Sequence, residues 1–291
     1  MHVVITGGCG FIGSALVQHV ITERADWTIT VVDNKSSGQR IIDHPSVTYC
    51  FEDICDIKES LLYTKRKPTV IFHLAAKARI KPSFDDPGEY YRTNVLGTQN
   101  MCKIARDLDA TLIYAASSTS AEPYKNPYAA SKHAGEVTVK MYHTAFNMRY
   151  HIARFFNVYG ANVPSEGPAA MMLGIFMKAM KDGETLPITN GGAQRRDFTH
   201  VHDICCGLEA LAVFERRSPN CLDVDFGTGN NFSVLEIADM LGGQASHIGR
   251  RSGEMQVTKA DARQTWVTLG WKPYRRLTEF IAAWKRNNGI R

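Results

Sequence analysis

Tyr128-Ala129-Ala130-Ser131-Lys132 sets a phenol and an ammonium four residues apart, so on a helix both share one face. A phenol at its reference pKa of about 10 is a weak base at neutral pH, but a cation within about 4–6 Å stabilises phenolate. Ser117 closes an apolar run 11 positions before Tyr128 and can offer its hydroxyl to the same substrate oxygen. The trio suits removal of a proton from a carbinol while hydride leaves the carbinol carbon. That chemistry needs a hydride acceptor. His2-Val3-Val4-Ile5-Thr6 runs straight into Gly7, Gly10 and Gly13, with Phe11 and Ile12 between the last two, and Gly8, Gly10 and Gly13 satisfy G-x-G-x-x-G. Glycines there permit a tight turn that aims free helix N–H groups at a diphosphate. Asp33 ends the next apolar run 20 residues after Gly13, where a carboxylate accepts ribose hydroxyls and repels a 2′-phosphate. Arg40 lies too far along to replace it, so the expected cofactor is NAD rather than NADP.

The elements that must hold these groups follow from the hydrophobic pattern. Strand-like runs occur at His2–Thr6, Thr28–Val32, Val47–Phe51, Thr69–His73, Thr111–Ala116 and His151–Phe156. Amphipathic segments lie between them, near Gly10–Arg24, Asp56–Lys65, Asn94–Leu108 and Tyr128–Phe146. Runs without polar alternation are buried on both faces, which requires a parallel sheet covered by helices. The expected fold is therefore α/β: a Rossmann-type, doubly wound parallel sheet over residues 1–157, with ligands at the carboxyl ends of its strands. The rhythm then breaks at a Gly/Pro-rich stretch and a Met-rich apolar helix over Ala169–Lys181. Residues 158–291 are read as mainly a smaller, mixed α/β, substrate-binding lobe, with elements near 200–225 returning to the first.

Composition narrows the class. The chain has 291 residues, 44% hydrophobic and 22% charged, which excludes disorder and allows a large core. Its net charge of +5 is scattered, so a small anionic ligand fits better than nucleic acid. Seven cysteines with no CxxC pair argue against a disulfide framework or a zinc site. No apolar run approaches a membrane span and the N-terminus has no leader pattern, so a cytoplasmic protein without membrane contact is expected.

With these residues in place, the sequence resembles the extended short-chain dehydrogenases/reductases of the nucleotide-sugar epimerase and dehydratase group. Thr6–Gly13 and Val32-Asp33-Asn34 match its cofactor end, and Asp53-Ile54 the pair that meets adenine. His73-Leu74-Ala75-Ala76 matches the strand end beside the dinucleotide, Asn94 the helix asparagine, and Ser117-Ser118 with Tyr128 and Lys132 the catalytic set. The resemblance implies that Asn157, within Arg154–Gly160, holds a substrate diphosphate. It implies that Arg196, in Arg195–Asp203, and Arg251, in Arg251-Ser252-Gly253-Glu254, bind phosphate, with Glu254 on the nucleotide ribose. Guanidinium forks suit such bidentate contacts. The chain departs from the family in the short stretch between Ser117 and Tyr128, which normally lines the sugar pocket.

Within that family, a 4,6-dehydratase carries Asp-Glu directly after its catalytic hydroxyl residue, where this chain has Ser118-Thr119. An epimerase–reductase adds a Cys/His pair and uses NADPH, yet no cysteine lies near Ser117 in the sequence. The expectation is 4-epimerisation of a UDP-hexose or UDP-N-acetylhexosamine through a 4-keto sugar. Another NAD-dependent nucleotide-sugar enzyme, such as a 4,6-dehydratase or 4-reductase, is the alternative, and a non-catalytic NAD sensor is the rival of another class. Thr258 matches a position where a bulky tyrosine excludes N-acetylated sugars, and its small side chain leaves room for them. His200 and His202 are read as strand-end structure with no third ligand nearby, so no metal is expected. Met101, Ala105, Leu108 and Val137, Met141, Ala145 recur at helical spacing as core or as a two-fold interface, and a homodimer is expected.

Overall fold

In a computed structural model, which describes residues 1–62, 66–218 and 220–290, the apolar runs form parallel strands. They are β1 (His2–Thr6), β2 (Thr28–Val32), β3 (Val47–Cys50), β4 (Val70–His73), β5 (Thr111–Ser117) and β6 (Tyr150–Phe155). The helices among them are α1 (Phe11–Glu23), α2 (Ile80–Asp85), α3 (Pro87–Tyr91), α4 (Thr98–Asp107) and α5 (Pro127–Phe146). A π-helical stretch, Arg92–Gly97, runs directly into α4.

The second half adds β7 (Asn157–Tyr159), α6 (Met172–Asp182), β8 (Leu186–Ile188), β9 (Arg195–His200) and α7 (Val201–Phe214). It continues with β10 (Leu222–Phe226), β11 (Asn231–Ser233), α8 (Val234–Leu241), β12 (Ala245–His247), α9 (Arg263–Leu269) and α10 (Leu277–Asn287). Seven strands make one parallel sheet in the order β10-β6-β5-β4-β1-β2-β3, so β10 returns to the edge beside β6. The order reverses around β1, which lies between β4 and β2, and a parallel sheet opens its ligand crevice at that point. β11, β9 and β7 form a second, three-stranded sheet, and β12 pairs with β8.

Both faces of the large sheet are dry, which is why its strands lack polar alternation. Leu16, Val17 and Val20 of α1 pack on one face with Ile204, Leu208 and Leu211 of α7 and Trp271. Met101, Ile104 and Ala105 of α4 cover the other face with Val139 and Tyr142 of α5. Phe176, Leu186, Ile188, Ile237, Leu241 and Ile281 build a separate core for the smaller lobe. Each fully buried aliphatic side chain contributes about 1.5–3 kcal/mol.

One expectation is corrected and another is divided. The helix expected over Asp56–Lys65 is only a 3-10 turn, Glu59–Leu62, and residues 63–65 of that expectation lie outside the described residues. The two apolar stripes also differ in kind: Met101, Ala105 and Leu108 are core, whereas Val137, Met141 and Ala145 are exposed. Amphipathic spacing identifies a sticky face without saying what covers it.

Candidate active site

The carboxyl ends of the strands open into a cleft of about 1330 Å³, with the glycine turn at one end and the smaller lobe at the other. Gly7 takes a left-handed φ of +71°, and a Cβ on Gly13 would stand 2.1 Å from the Gly7 carbonyl oxygen, so the turn has no room for side chains. Gly10 is the N-cap of α1 and gives no side-chain cap, which leaves the first-turn N–H groups directed at the cleft end. Asp33, buried at the end of β2, accepts from the Cys9 N–H (2.9 Å) and the Lys35 N–H (2.7 Å). Its carboxylate both fixes the turn and lines the cleft. These features fit a dinucleotide: donors for a diphosphate, then an acceptor for ribose hydroxyls.

His73 braces the adjoining strand end. Its ring bonds Thr6 Oγ1 (2.9 Å) and Thr98 Oγ1 (3.0 Å), while the Ala75 N–H donates to Thr6 Oγ1 (3.1 Å). Burial, with the Lys132 cation adding to it, pushes the His73 pKa down to about 3, so the ring is a neutral strut.

α5 starts at Asn126, whose side chain accepts from the Ala129 N–H (2.8 Å), and Pro127 sits in the first turn, where its missing N–H costs nothing. Tyr128 in that first turn and Lys132 one turn later face the cleft. Burial raises the Tyr128 pKa, while a hydrogen bond with Ser117 and the charge of Arg79 lower it. The Lys132 ammonium lies 4.3 Å from the centre of the Tyr114 ring, and burial brings its pKa down to about 7 against the pull of Glu136. The cation felt at the phenol is thus Arg79, a residue that pattern reading passed over. Behind them, Ser120 donates to Glu136, Glu136 pairs with Arg154 (2.9 Å), and Arg154 reaches Asp225 on β10 (2.9 Å). This chain ties α5 to the sheet edge.

Across the cleft, Arg196 and Arg251 stand near Glu254. Arg196 Nη2 lies 3.7 Å from Glu254 Oε2, and Asn190 Nδ2 donates to the same oxygen (3.1 Å) and to the Arg251 carbonyl (3.3 Å). The neighbouring acids are structural. Asp197 accepts from the N–H groups of Thr228, Gly229 and Ala260, and Asp203 from those of Tyr274 and Arg275. Thr258 also lines the cleft, and its hydroxyl has no protein partner among the described residues.

The cleft gathers Gly7, Gly10, Phe11, Ile12, Gly13, Asp33, Asn34, Ile54, Leu74, Ala75 and Ala76 with Ser117, Ser118, Tyr128, Lys132, Asn157, Arg196, Arg251, Glu254 and Thr258. Two expected cofactor residues are not in its wall. Asp53 turns its carboxylate to Asn34 (2.9 Å), Arg92 (3.2 Å) and the Cys55 N–H (2.8 Å). Asn94 is buried, bonded to the backbone of Lys77 (2.8 and 2.9 Å) and to Ser131 Oγ (2.9 Å), so it clamps the loop after β4 onto α5. Away from the cleft, His202 is not isolated: α1 and α7 bring ligand atoms of His19, His202 and Cys206 within 4.8 Å of one another, with His19 bonded to Glu209 (2.6 Å).

A doubly wound parallel sheet, a glycine turn after its first strand and a Tyr/Lys pair with Ser117 define an extended short-chain dehydrogenase/reductase. The chain belongs to the NAD dependent epimerase/dehydratase family, whose sequence pattern matches residues 3–220. It is 31% identical to a putative UDP-glucose 4-epimerase of Methanocaldococcus jannaschii, over 98% of this chain and 99% of that one. It is 28% identical to a dTDP-glucose 4,6-dehydratase of Haemophilus influenzae, over 70% of this chain and 68% of that one. Its fold is similar to the crystal structure of UDP-glucose 4-epimerase from Thermotoga maritima with UDP-glucose, at TM-score 0.87, 23% identity and 99% coverage of both chains. The chain is an NAD-dependent enzyme of nucleotide-sugar chemistry, and no described helix is long and apolar enough to cross a membrane.

Proposed function

We propose that this protein is a nucleotide-sugar 4-epimerase acting on a UDP-hexose or UDP-N-acetylhexosamine through a 4-keto sugar. One observation carries the reading: Tyr128 and Ser117 face a single cleft together, between a diphosphate-binding turn and an arginine-lined nucleotide end. Bound NAD supplies the acceptor and donor of hydride at the sugar's C4 and a further positive charge beside the phenol. Tyr128 takes the 4-hydroxyl proton and returns it after the hexose has turned over, and Ser117 holds the same oxygen. Arg196 and Arg251 grip the diphosphate during that rotation, a firm hold at one end with freedom at the other. The Arg79 charge favours phenolate at Tyr128, and Lys132, with a pKa of about 7, adds a positive charge only while protonated.

Dehydration is less well served. It needs an acid or base for elimination next to the sugar, and Ser118 and Thr119 follow Ser117. The nearby carboxylate, Glu136, is engaged by Ser120 and Arg154. We read the exposed stripe Val137, Met141 and Ala145 on α5 as a homodimer interface.

Incubation with UDP-glucose and UDP-N-acetylglucosamine, followed by separation of the products, tests the function. C4 epimers with no net change in NADH are expected. A 4-keto-6-deoxy sugar would overturn the reading in favour of a dehydratase, and bound NAD without turnover in favour of a sensor.

A further inference from the structure

Arg79 stands in the loop between β4 and α2 with φ +94° and ψ 138°, a backbone conformation costly for a residue with a side chain. The strain is held from below: the Tyr90 hydroxyl donates to the carbonyls of Ala78 (2.7 Å) and Arg79 (3.0 Å). The Tyr90 ring packs edge-on against Tyr128, with centroids 6.2 Å apart, so one tyrosine fixes Arg79 beside the proposed base. The Arg79 guanidinium lines the cleft and spends Nε on the Ala169 carbonyl (3.1 Å).

No carboxylate among the described residues comes within 4.0 Å of it, whereas neighbouring Lys77 is paired with Glu89 (3.6 Å). Loss of water lowers the Arg79 pKa below its ordinary value, opposed only by the phenols of Tyr128 and Tyr90. A half-buried guanidinium with no carboxylate partner is costly, and an arginine fork is the side chain best shaped for a carboxylate. The diphosphate of the substrate already has Arg196 and Arg251 at the other end of the cleft. The anion that Arg79 awaits therefore lies on the sugar.

We infer that Arg79 forms an anion subsite for a carboxylate carried by the sugar, so that the preferred substrate is the nucleotide derivative of an acidic sugar, a hexuronic acid being the simplest. The inference rests on the proposed reaction only for turning the sugar toward Tyr128.

The test compares wild-type, Arg79→Gln and Arg79→Lys enzymes, each loaded with NAD. Calorimetric Kd and kcat/KM are measured for UDP-glucuronic acid against UDP-glucose, and for UDP-N-acetylmuramic acid against UDP-N-acetylglucosamine. The first pair reads a carboxylate at C6, the second one on the C3 substituent. Wild type should prefer an acidic member. Because Arg79 also lowers the Tyr128 pKa, kcat should fall for every sugar in both variants; the subsite reads in the acid-to-neutral Kd ratio, which should worsen about 30-fold or more in Arg79→Gln and less in Arg79→Lys. If the Gln variant does not fold, the selective loss in the Lys variant decides. Equal loss of affinity for all four ligands, or no wild-type preference for either acid, overturns the subsite. Turnover of neutral sugars without acid preference sinks the subsite and leaves the epimerase reading. Acid-selective binding with no epimer formed does the reverse.

Discussion

A phenol and an ammonium on one helical face meet opposite fates of burial here: water loss raises Tyr128 and lowers Lys132, in both cases toward the neutral form. Tyr128→Phe removes the only proposed proton acceptor and should cut kcat by about 10²–10⁴-fold, with bound NAD unchanged by absorbance of the purified protein. Retained turnover would transfer the role to another group. The Lys132 pKa of about 7, against an ordinary 10.5, has a consequence for stability. Between those values the unfolded chain binds the proton and the fold sheds it, so this group's contribution rises as pH climbs from 7 toward 10.5 and is lost as pH falls through 7. Lys132→Met should therefore raise Tm at pH 7, by about 2–4 °C for each kcal/mol relieved, and the gain should shrink as pH approaches 10. Thermal melts of both proteins across that range are the measurement, and a gain that grows with pH would refute the burial argument.

The element that matters most is α5, because its first turn carries Tyr128 and its cap reaches the other lobe. Asn126 Oδ1 accepts from the Ala129 N–H, and Asn126 Nδ2 donates to the Gly253 carbonyl (2.9 Å), two residues from Arg251. Asn126→Ala should cost about 1 kcal/mol of cap, lower Tm by about 2–4 °C, and raise KM by loosening the phosphate end. Asn126→Asp keeps the cap acceptor and loses the donor. It should recover Tm and leave KM high, whereas a KM that returns with Tm would show that only helix stability was at stake. The next element, the loop from Leu74 to Arg79, is clamped by Asn94 and Tyr90, which accounts for a buried asparagine that never reaches the cleft wall.

At the scale of the molecule, a large sheet and a separately cored lobe meet over one cleft, so the catalytic helix is shared between binding two ligands. The outer side of α5 keeps Val137 54% and Met141 46% exposed, unusual for apolar side chains one turn apart. If this face joins two copies, Val137→Glu with Met141→Glu should convert a dimer to a monomer in sedimentation velocity while leaving the far-UV spectrum intact. An unchanged sedimentation coefficient would place any dimer contact elsewhere.

Contiguous patterns were readable in the amino-acid order. The β1 run into Gly7, Gly10 and Gly13, the acid at the end of β2, and the Tyr128/Lys132 spacing are local, because a strand, a turn and one helical face are each set by neighbours in the chain. The parallel sheet followed too, since only burial on both faces explains strands without alternation. What depends on distant segments meeting could come only from the tertiary structure. Arg79 has no motif: its place beside Tyr128 is made by Tyr90 folding back and by a positive φ that composition does not announce. Asp53 and Asn94 carry the right residue types, but only the fold shows that neither is among the residues lining the cleft and that Arg92, Lys77 and Ser131 bond their side chains. His19 and Cys206 join His202 only because α1 and α7 pack on the same sheet face. Local spacing decides which groups can do chemistry, and long-range packing decides which of them are left free to do it.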